Sequence, residues 1–406
     1  MGKNDGKVIG TTLIYDSGDP AERFNLVLVS EGYKQSELGK FADDAQHFVD
    51  GLFDIAPFDE FQCAINVYRV DVSSTDSGAD DPTQCGGTGA MPKTFFDAKF
   101  CTGGVRRALT ANSALVLEVA AQQVPQFHSA QLVVNSPIYG GTGGQVGVSS
   151  TATHKDDGTP VDWREIIIHE MGHSIFGLAD EYEYYAGCTS GETGHDNWAG
   201  GEPSQANVTA STTANGKWSD LINTSTLPTT TNGDCSKCDP QPSPSSFWIG
   251  TFEGAKYYHC GLYRPMFDCK MRKLDYPFCA VCARVIREHL APYDPWFCAK
   301  TDLLDPSRWA IVATILFGVI QDGGGVIIVG GKPIPIDPWG PLRHSLWGAL
   351  ADPIQAPPAM RDVVLGIALR EISSLVSSRE FRAELERMAS RLVDAAAKDL
   401  PAATIR

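Results

Sequence analysis

Hydrophobic and polar positions change period several times along the chain, and each change predicts an element. Residues 9 to 15 alternate loosely, as a strand does. Phe24-Asn-Leu-Val-Leu-Val-Ser30 is an apolar run between polar turns, the pattern of a buried strand. From Ser36 to Phe53 the spacing becomes helical, with Leu38, Phe41, Ala45, Phe48, Val49 and Leu52 on one side, and Pro57-Phe58 ends it. Cys63 to Val72 predicts another strand, so the chain opens strand, helix, strand, the beginning of an α/β layer. A helix over 108–122 and a strand over 130–135 follow.

Tyr139-Gly-Gly-Thr-Gly-Gly-Gln-Val-Gly-Val-Ser-Ser150 superficially suggests a phosphate loop, but no lysine stands in the required place and no helix opens directly after it. It predicts instead an exposed edge strand of small residues over 139–150, able to hold an extended peptide by strand addition. The next helix has a readable start. Pro160 precedes it, Asp162 is a good N-cap, and Glu165 stands three later as a capping-box partner. Trp163, Ile166, Ile167, Met171 and Ile175 give it apolar packing, and Gly177 is the expected stop.

That helix carries the chemistry. His169-Glu-Met-Gly-His173 is a HExxH string, and histidines four apart lie one above the other on a helix face, where two imidazoles can grip one ion. Glu170 lies beside them, placed to take a proton from a metal-activated water. A third ligand is expected soon after the turn, and Asp180 and Glu181 are both there.

Composition narrows the reading. The 406 residues are 43% hydrophobic and 20% charged, ordinary globular material with enough length for more than one domain. A net charge of -16 argues against nucleic acid and against anionic membrane surfaces as partners. The most apolar run, Trp309 to Ile320, is too short to span a bilayer. The polar start shows no leader. Eleven cysteines favour an oxidising compartment and disulfides, so the expected location is extracellular or periplasmic with a leader absent from this sequence, a cytoplasmic one being compatible. The rival use of the cysteines is a structural zinc site built from Cys235-Ser-Lys-Cys238 and Cys279-Ala-Val-Cys282.

Other segments read more blandly. Asp76, Asp80 and Asp81 lie in a polar stretch without regular ligand spacing, so 73–89 is expected to be a solvated loop rather than a calcium loop. Residues 183–255 are rich in Gly, Thr, Ser, Asn and Pro and predict a long irregular region needing crosslinks; Asn207-Val-Thr and Asn223-Thr-Ser fit glycosylation sequons. A helix runs to about Leu290, and Pro292 and Pro295 mark a boundary. Beyond it a helix over 305–320, a hairpin of 326–329 with 334–336, and amphipathic helices over 358–376 and 378–397 predict a mainly helical module. The expected division is a domain over 1–300, with lobes of about 1–178 and 179–300, and the module over 301–406.

Three stretches resemble the IgA-protease-like family of zinc metallopeptidases, within the zincin and metzincin group. They are Asn25-Leu-Val-Leu-Val-Ser-Glu-Gly-Tyr33 with Pro57-Phe and Asn66-Val-Tyr; Val134-Asn-Ser with Tyr139-Gly-Gly and His169 to Tyr182; and Tyr263-Arg-Pro with Cys269-Lys-Met271-Arg and Phe278-Cys-Ala-Val-Cys282. The resemblance implies an α+β peptidase with a mixed sheet, an active-site helix, a cysteine-rich lower lobe and a metal in the cleft. It implies His169 and His173 as Zn2+ ligands, Glu170 as general base, and Met271 in the turn beneath the metal. Where the metzincin string has a third histidine this chain has none; Asp180 best fills the place, with Glu181 as the alternative. Tyr182, Tyr263 and Arg264 are candidate oxyanion stabilisers. The function implied is zinc-dependent endopeptidase action on a protein or peptide substrate. The alternatives are a zinc-containing protein- or glycan-binding module of the same fold with lost or very narrow peptidase activity, and an intracellular zinc protein with reduced cysteines.

Overall fold

The computed structural model describes residues 2–184, 196–237, 248–295, the strands 326–329 and 332–335, and Arg387. The chain divides into two compact units, Met1–Pro295 and Trp296–Arg406.

The first unit is built on a mixed six-stranded sheet. Its strands are β1 (Gly6–Tyr15), β2 (Phe24–Glu31), β3 (Ile65–Ser74), β4 (Ser129–Val134), β5 (Gly141–Thr142) and β6 (Gly147–Ser150), in the order β1-β3-β2-β4-β6-β5. The inner four run parallel, and β1 and β5 close the two edges antiparallel. Every residue of β2 is buried. Alternation along the strand explains why it needs an unbroken apolar run: Leu26 and Leu28 face one core, Val27 and Val29 the other.

Three helices cover the first face. They are α1 (Leu38–Leu52), α3 (Trp163–Ser174) and α4 (Ala280–Leu290), and their apolar stripes meet in one core with Trp163, Ile167, Met171 and Ile286. The stripe read for α1 buries as expected at Phe41, Ala45, Phe48, Val49 and Leu52. The opposite face carries α2 (Ser113–Gln123) and the segment around Phe95, Phe96 and Phe100. The α2 helix begins at Ser113, not near 108. The Asn112 side chain accepts from the Leu115 N–H, and Thr110 is committed to extended pairing with Lys99.

Two expectations about polar stretches need correction. Only Gly141 and Thr142 form the edge strand; 147–150 lies inside the sheet between β4 and β5, and all of β6 is buried. The edge is also partly covered, because the Gly141 N–H donates to the Arg107 carbonyl at 3.1 Å. The loop at 73–89 is not simply solvated, since Asp80 and Asp81 are buried. Asp81 accepts from the Thr88 N–H at 2.7 Å and its hydroxyl at 2.8 Å, and from Arg106 at 2.5 Å. A disulfide joins Cys85 to Cys101 nearby.

The described part of 183–255 is irregular, as its composition predicts. Lys217 anchors it by donating to the Pro203, Gln205 and Val208 carbonyls at 2.6, 2.7 and 2.6 Å. Trp218 is fully buried and donates to the Gly250 carbonyl at 2.7 Å. A hairpin of β7 (Phe252–Ala255) and β8 (Tyr258–Arg264) follows, tied by the Cys235–Cys260 disulfide. Asn207 of the first sequon is fully buried and bonded on both sides of its amide, so it is not an acceptor in the folded chain.

In the second unit β9 (Val326–Val329) and β10 (Lys332–Pro335) pair antiparallel, the second strand starting ahead of the expected 334. The helices expected over 305–320, 358–376 and 378–397 lie outside the described residues, apart from Arg387, which is helical. Among the described residues no helix is long and apolar enough to cross a membrane.

Candidate metal centre and cleft

The α3 helix presents the site. Asp162 caps it through Arg164, accepting its N–H at 3.0 Å. The expected capping box does not close, because Glu165 turns instead to an ion pair with Lys270. At the other end Gly177 takes the left-handed conformation at φ 63°, its N–H donating to the His173 carbonyl at 3.1 Å. The Leu178 N–H reaches the Gly172 carbonyl at 2.9 Å, and the reversed chain brings Asp180 back over the helix.

Three side chains converge there. His169 Nε2 lies 3.3 Å from His173 Nε2, and Asp180 Oδ1 lies 3.1 and 3.2 Å from these two nitrogens. The other nitrogen of each ring is held by a backbone carbonyl, His169 Nδ1 by Lys270 at 2.9 Å and His173 Nδ1 by Leu178 at 2.7 Å. Each imidazole therefore carries its proton on Nδ1 when neutral and turns the Nε2 lone pair inward. Two such nitrogens and a carboxylate oxygen fit one divalent metal. Of the two acidic candidates Asp180 is the one beside the imidazoles. Glu181 points away, toward Asn207 and Cys282.

The segment Cys269-Lys-Met-Arg272 explains its own specificity residue by residue. The Lys270 carbonyl orients His169 while its ammonium pairs with Glu165. Met271 is fully buried under α3 at Gly172, where an added Cβ would stand 2.5 Å from its sulfur, so a larger residue there would push the methionine out of its place. Its carbonyl accepts from the Glu181 N–H at 2.8 Å. Arg272 pairs with Glu183 at 2.8 Å and Asp268 at 2.5 Å.

Asp180, Glu170, Tyr182 and Tyr257 share a cavity of about 250 Å³ with the two histidines and Gly141. A second cavity of about 300 Å³, lined by Tyr139, Lys155 and Leu274, meets it at Gly141, His169 and Glu170. Burial pushes the Glu170 carboxyl above its ordinary range. Burial acts the same way on Asp180, but the charge and hydrogen bonds of His173 and His169 outweigh it and hold that carboxyl well below the usual range. His173 is lifted to about 10: desolvation opposes its charge, and Asp180 overcomes it.

Two cleft residues carry no signal in the sequence. Tyr257 donates its hydroxyl to Asp180 Oδ2 from the β7–β8 turn, with Lys256 and Tyr257 at φ 51° and 71°. Such conformations cost energy in non-glycine residues and cluster at functional sites. Arg107 donates to the Tyr182 hydroxyl at 3.3 Å and lies over its ring. Of the expected oxyanion stabilisers only Tyr182 faces the cleft. Tyr263 bonds Glu253 at 3.4 Å, and fully buried Arg264 donates to backbone carbonyls including Phe267 at 3.0 Å.

The cysteines divide. Cys235 is taken by Cys260, as the disulfide reading expects, which rules out the rival pairing of two CxxC motifs around one metal; Cys238 lies outside the described residues. Cys269, Cys279 and Cys282 are free and buried, so the expected disulfide cluster does not extend to them.

Comparison with known protein families matches residues 12–239 and 236–290 to the family described as IgA Peptidase M64. Comparison with curated proteins finds no match.

Proposed function

The chain belongs to the IgA peptidase M64 family, and from that membership we propose that it is a zinc-dependent endopeptidase, with His169, His173 and Asp180 holding the metal and Glu170 as general base. The observation that carries this reading is the convergence of two inward-turned Nε2 atoms and one carboxylate oxygen, 3.1 to 3.3 Å apart, at the mouth of a cleft that also contains Glu170. Met271 beneath the helix supports a metzincin-like arrangement.

When bound there, zinc would polarise the scissile carbonyl and acidify the attacking water. Glu170 takes the proton from that water and passes it to the leaving amine. Burial raises its affinity for protons, in the direction that favours taking one up. Tyr182 and Tyr257 stay protonated because burial and the Asp180 charge both disfavour their phenolates; Tyr257 spends its proton on Asp180, and Tyr182 is the one that can donate toward the substrate. The substrate is a protein or peptide chain lying extended beside β5. Glu170 Oε1 approaches within 3.0 Å of where a Gly141 side chain would begin, so a side chain at this position would crowd the base. The Cys85–Cys101 and Cys235–Cys260 disulfides support a location in an oxidising compartment.

Glu170→Gln tests the chemistry. The variant should retain wild-type metal content and lose about 10²- to 10⁴-fold in kcat on a peptide-library substrate. A Gln variant that cleaves at the wild-type rate would sink the assignment.

A further inference from the structure

Behind the cleft, on the far side of the Asp180–Glu181 peptide, four ligand-type side chains face one another in the core. They are Glu181, Cys269, Cys279 and Cys282, and one ligand atom from each lies within 4.8 Å of all the others. All four are almost completely buried, at 0 to 2% exposure. We propose that this cluster is a second metal site, a tetrahedral thiolate–carboxylate centre for a structural zinc ion.

The distances suit a shared ion. Zinc–sulfur bonds of about 2.3 Å in a tetrahedron put sulfurs about 3.8 Å apart, and a carboxylate oxygen about 3.5 Å from each sulfur. Cys269 Sγ and Cys282 Sγ are 3.7 Å apart, and Cys282 Sγ is 3.3 Å from Glu181 Oε1. Disulfide sulfurs would be about 2.05 Å apart. A disulfide would also use only two of the thiols and leave the carboxylate beside the third.

Backbone donors already point at the sulfurs. The Cys279 N–H reaches Cys269 Sγ at 3.2 Å, and the Cys282 N–H reaches Cys279 Sγ at 3.5 Å. Such donors stabilise thiolate over thiol. Glu181 Oε1 accepts from Asn207 at 2.9 Å, whereas Oε2 is buried with no hydrogen-bond partner. An orphaned carboxylate oxygen in a dry core is costly, and a cation shared by both Glu181 oxygens would satisfy it. Burial also removes the alternative of a reactive cysteine, since no substrate reaches these sulfurs. Soft thiolates select a borderline metal such as zinc over magnesium or calcium.

The site would fasten three distant segments. Glu181 follows Asp180, Cys269 stands two residues before Met271, and Cys279 is the N-cap of α4. One ion would thus lock the return turn and the methionine floor of the catalytic site to the same helix.

Metal analysis of the full chain separates this centre from the catalytic one. Wild type should carry two zinc ions per chain, and His173→Ala should carry one. Cobalt loaded into His173→Ala should give an intense near-ultraviolet sulfur-to-cobalt band, which Cys282→Ser in the same background removes. A folded His173→Ala chain that holds no metal, or cobalt bound without that band, overturns the proposal. So does a disulfide among Cys269, Cys279 and Cys282 found by mass spectrometry of the native protein, a reading that holds even where Cys282→Ser fails to fold. If the catalytic assignment fails instead, wild type shows one ion and that ion keeps the thiolate band.

Discussion

Tyr257 holds Asp180 from the side opposite the histidines, so its hydroxyl would orient this proposed metal ligand without occupying a ligand position. Partners of this kind typically tune affinity by 10- to 100-fold. Tyr257→Phe should therefore weaken zinc binding by roughly that factor in competition with a chromogenic chelator, while circular dichroism stays unchanged. Unaltered affinity would show that the phenol serves something else. The histidines, Glu170 and Asp180 were legible in the sequence because a helix and one glycine turn place them, and both are local devices. Tyr257 and Arg107 were not. Tyr257 reaches the site through a left-handed turn that no glycine marks, and Arg107 through a loop whose course is set by distant contacts.

Among the elements, the loop of Asp81 shows how such a course is set. The buried Asp81 carboxylate grips Arg106, immediately before Arg107, and the same loop is tied to Cys101 through Cys85. Burial alone would raise the Asp81 carboxyl, but the Thr88 bonds and Arg106 bring it below its ordinary value. A depressed carboxyl contributes stability that is present above its unfolded pKa, about 3.9, and is lost as pH falls through the folded value. Asp81→Asn should cost about 1.5–3 kcal/mol at pH 7. That cost should shrink steadily below about pH 4, as read from urea unfolding of both proteins at each pH. An undiminished cost at pH 3 would refute the electrostatic account. Sequence pattern missed this loop because polar residues without periodicity look solvated wherever their partners are remote. It placed β2 and α1 well, since period alone reports burial there, but β5 is only two residues long and carries no alternation to read.

At the scale of the whole molecule the family match ends at residue 290, close to the limit of the first compact unit at Pro295. A chain ending at residue 300 should thus fold, bind metal and cleave substrate as the full chain does, with kcat/KM within about twofold. Thermal unfolding and metal content check the first two, and an aggregated or metal-free product would place part of the peptidase in the second unit. The acidic balance of -16 was legible from composition, whereas the arrangement of cores on the two faces of one sheet needed the strand order.

Two cavities meet at Glu170, one running past Gly143 and His173, the other past Tyr139, Lys155 and Leu274. A polypeptide would therefore have room on both sides of the bond being cut. It need not present a terminus and could be laid in sideways, from an exposed loop of an otherwise folded protein. Acetylating one end of a peptide and amidating the other should leave its cleavage rate unchanged, and a rate that collapses on blocking either end would reveal a chain-end trimmer.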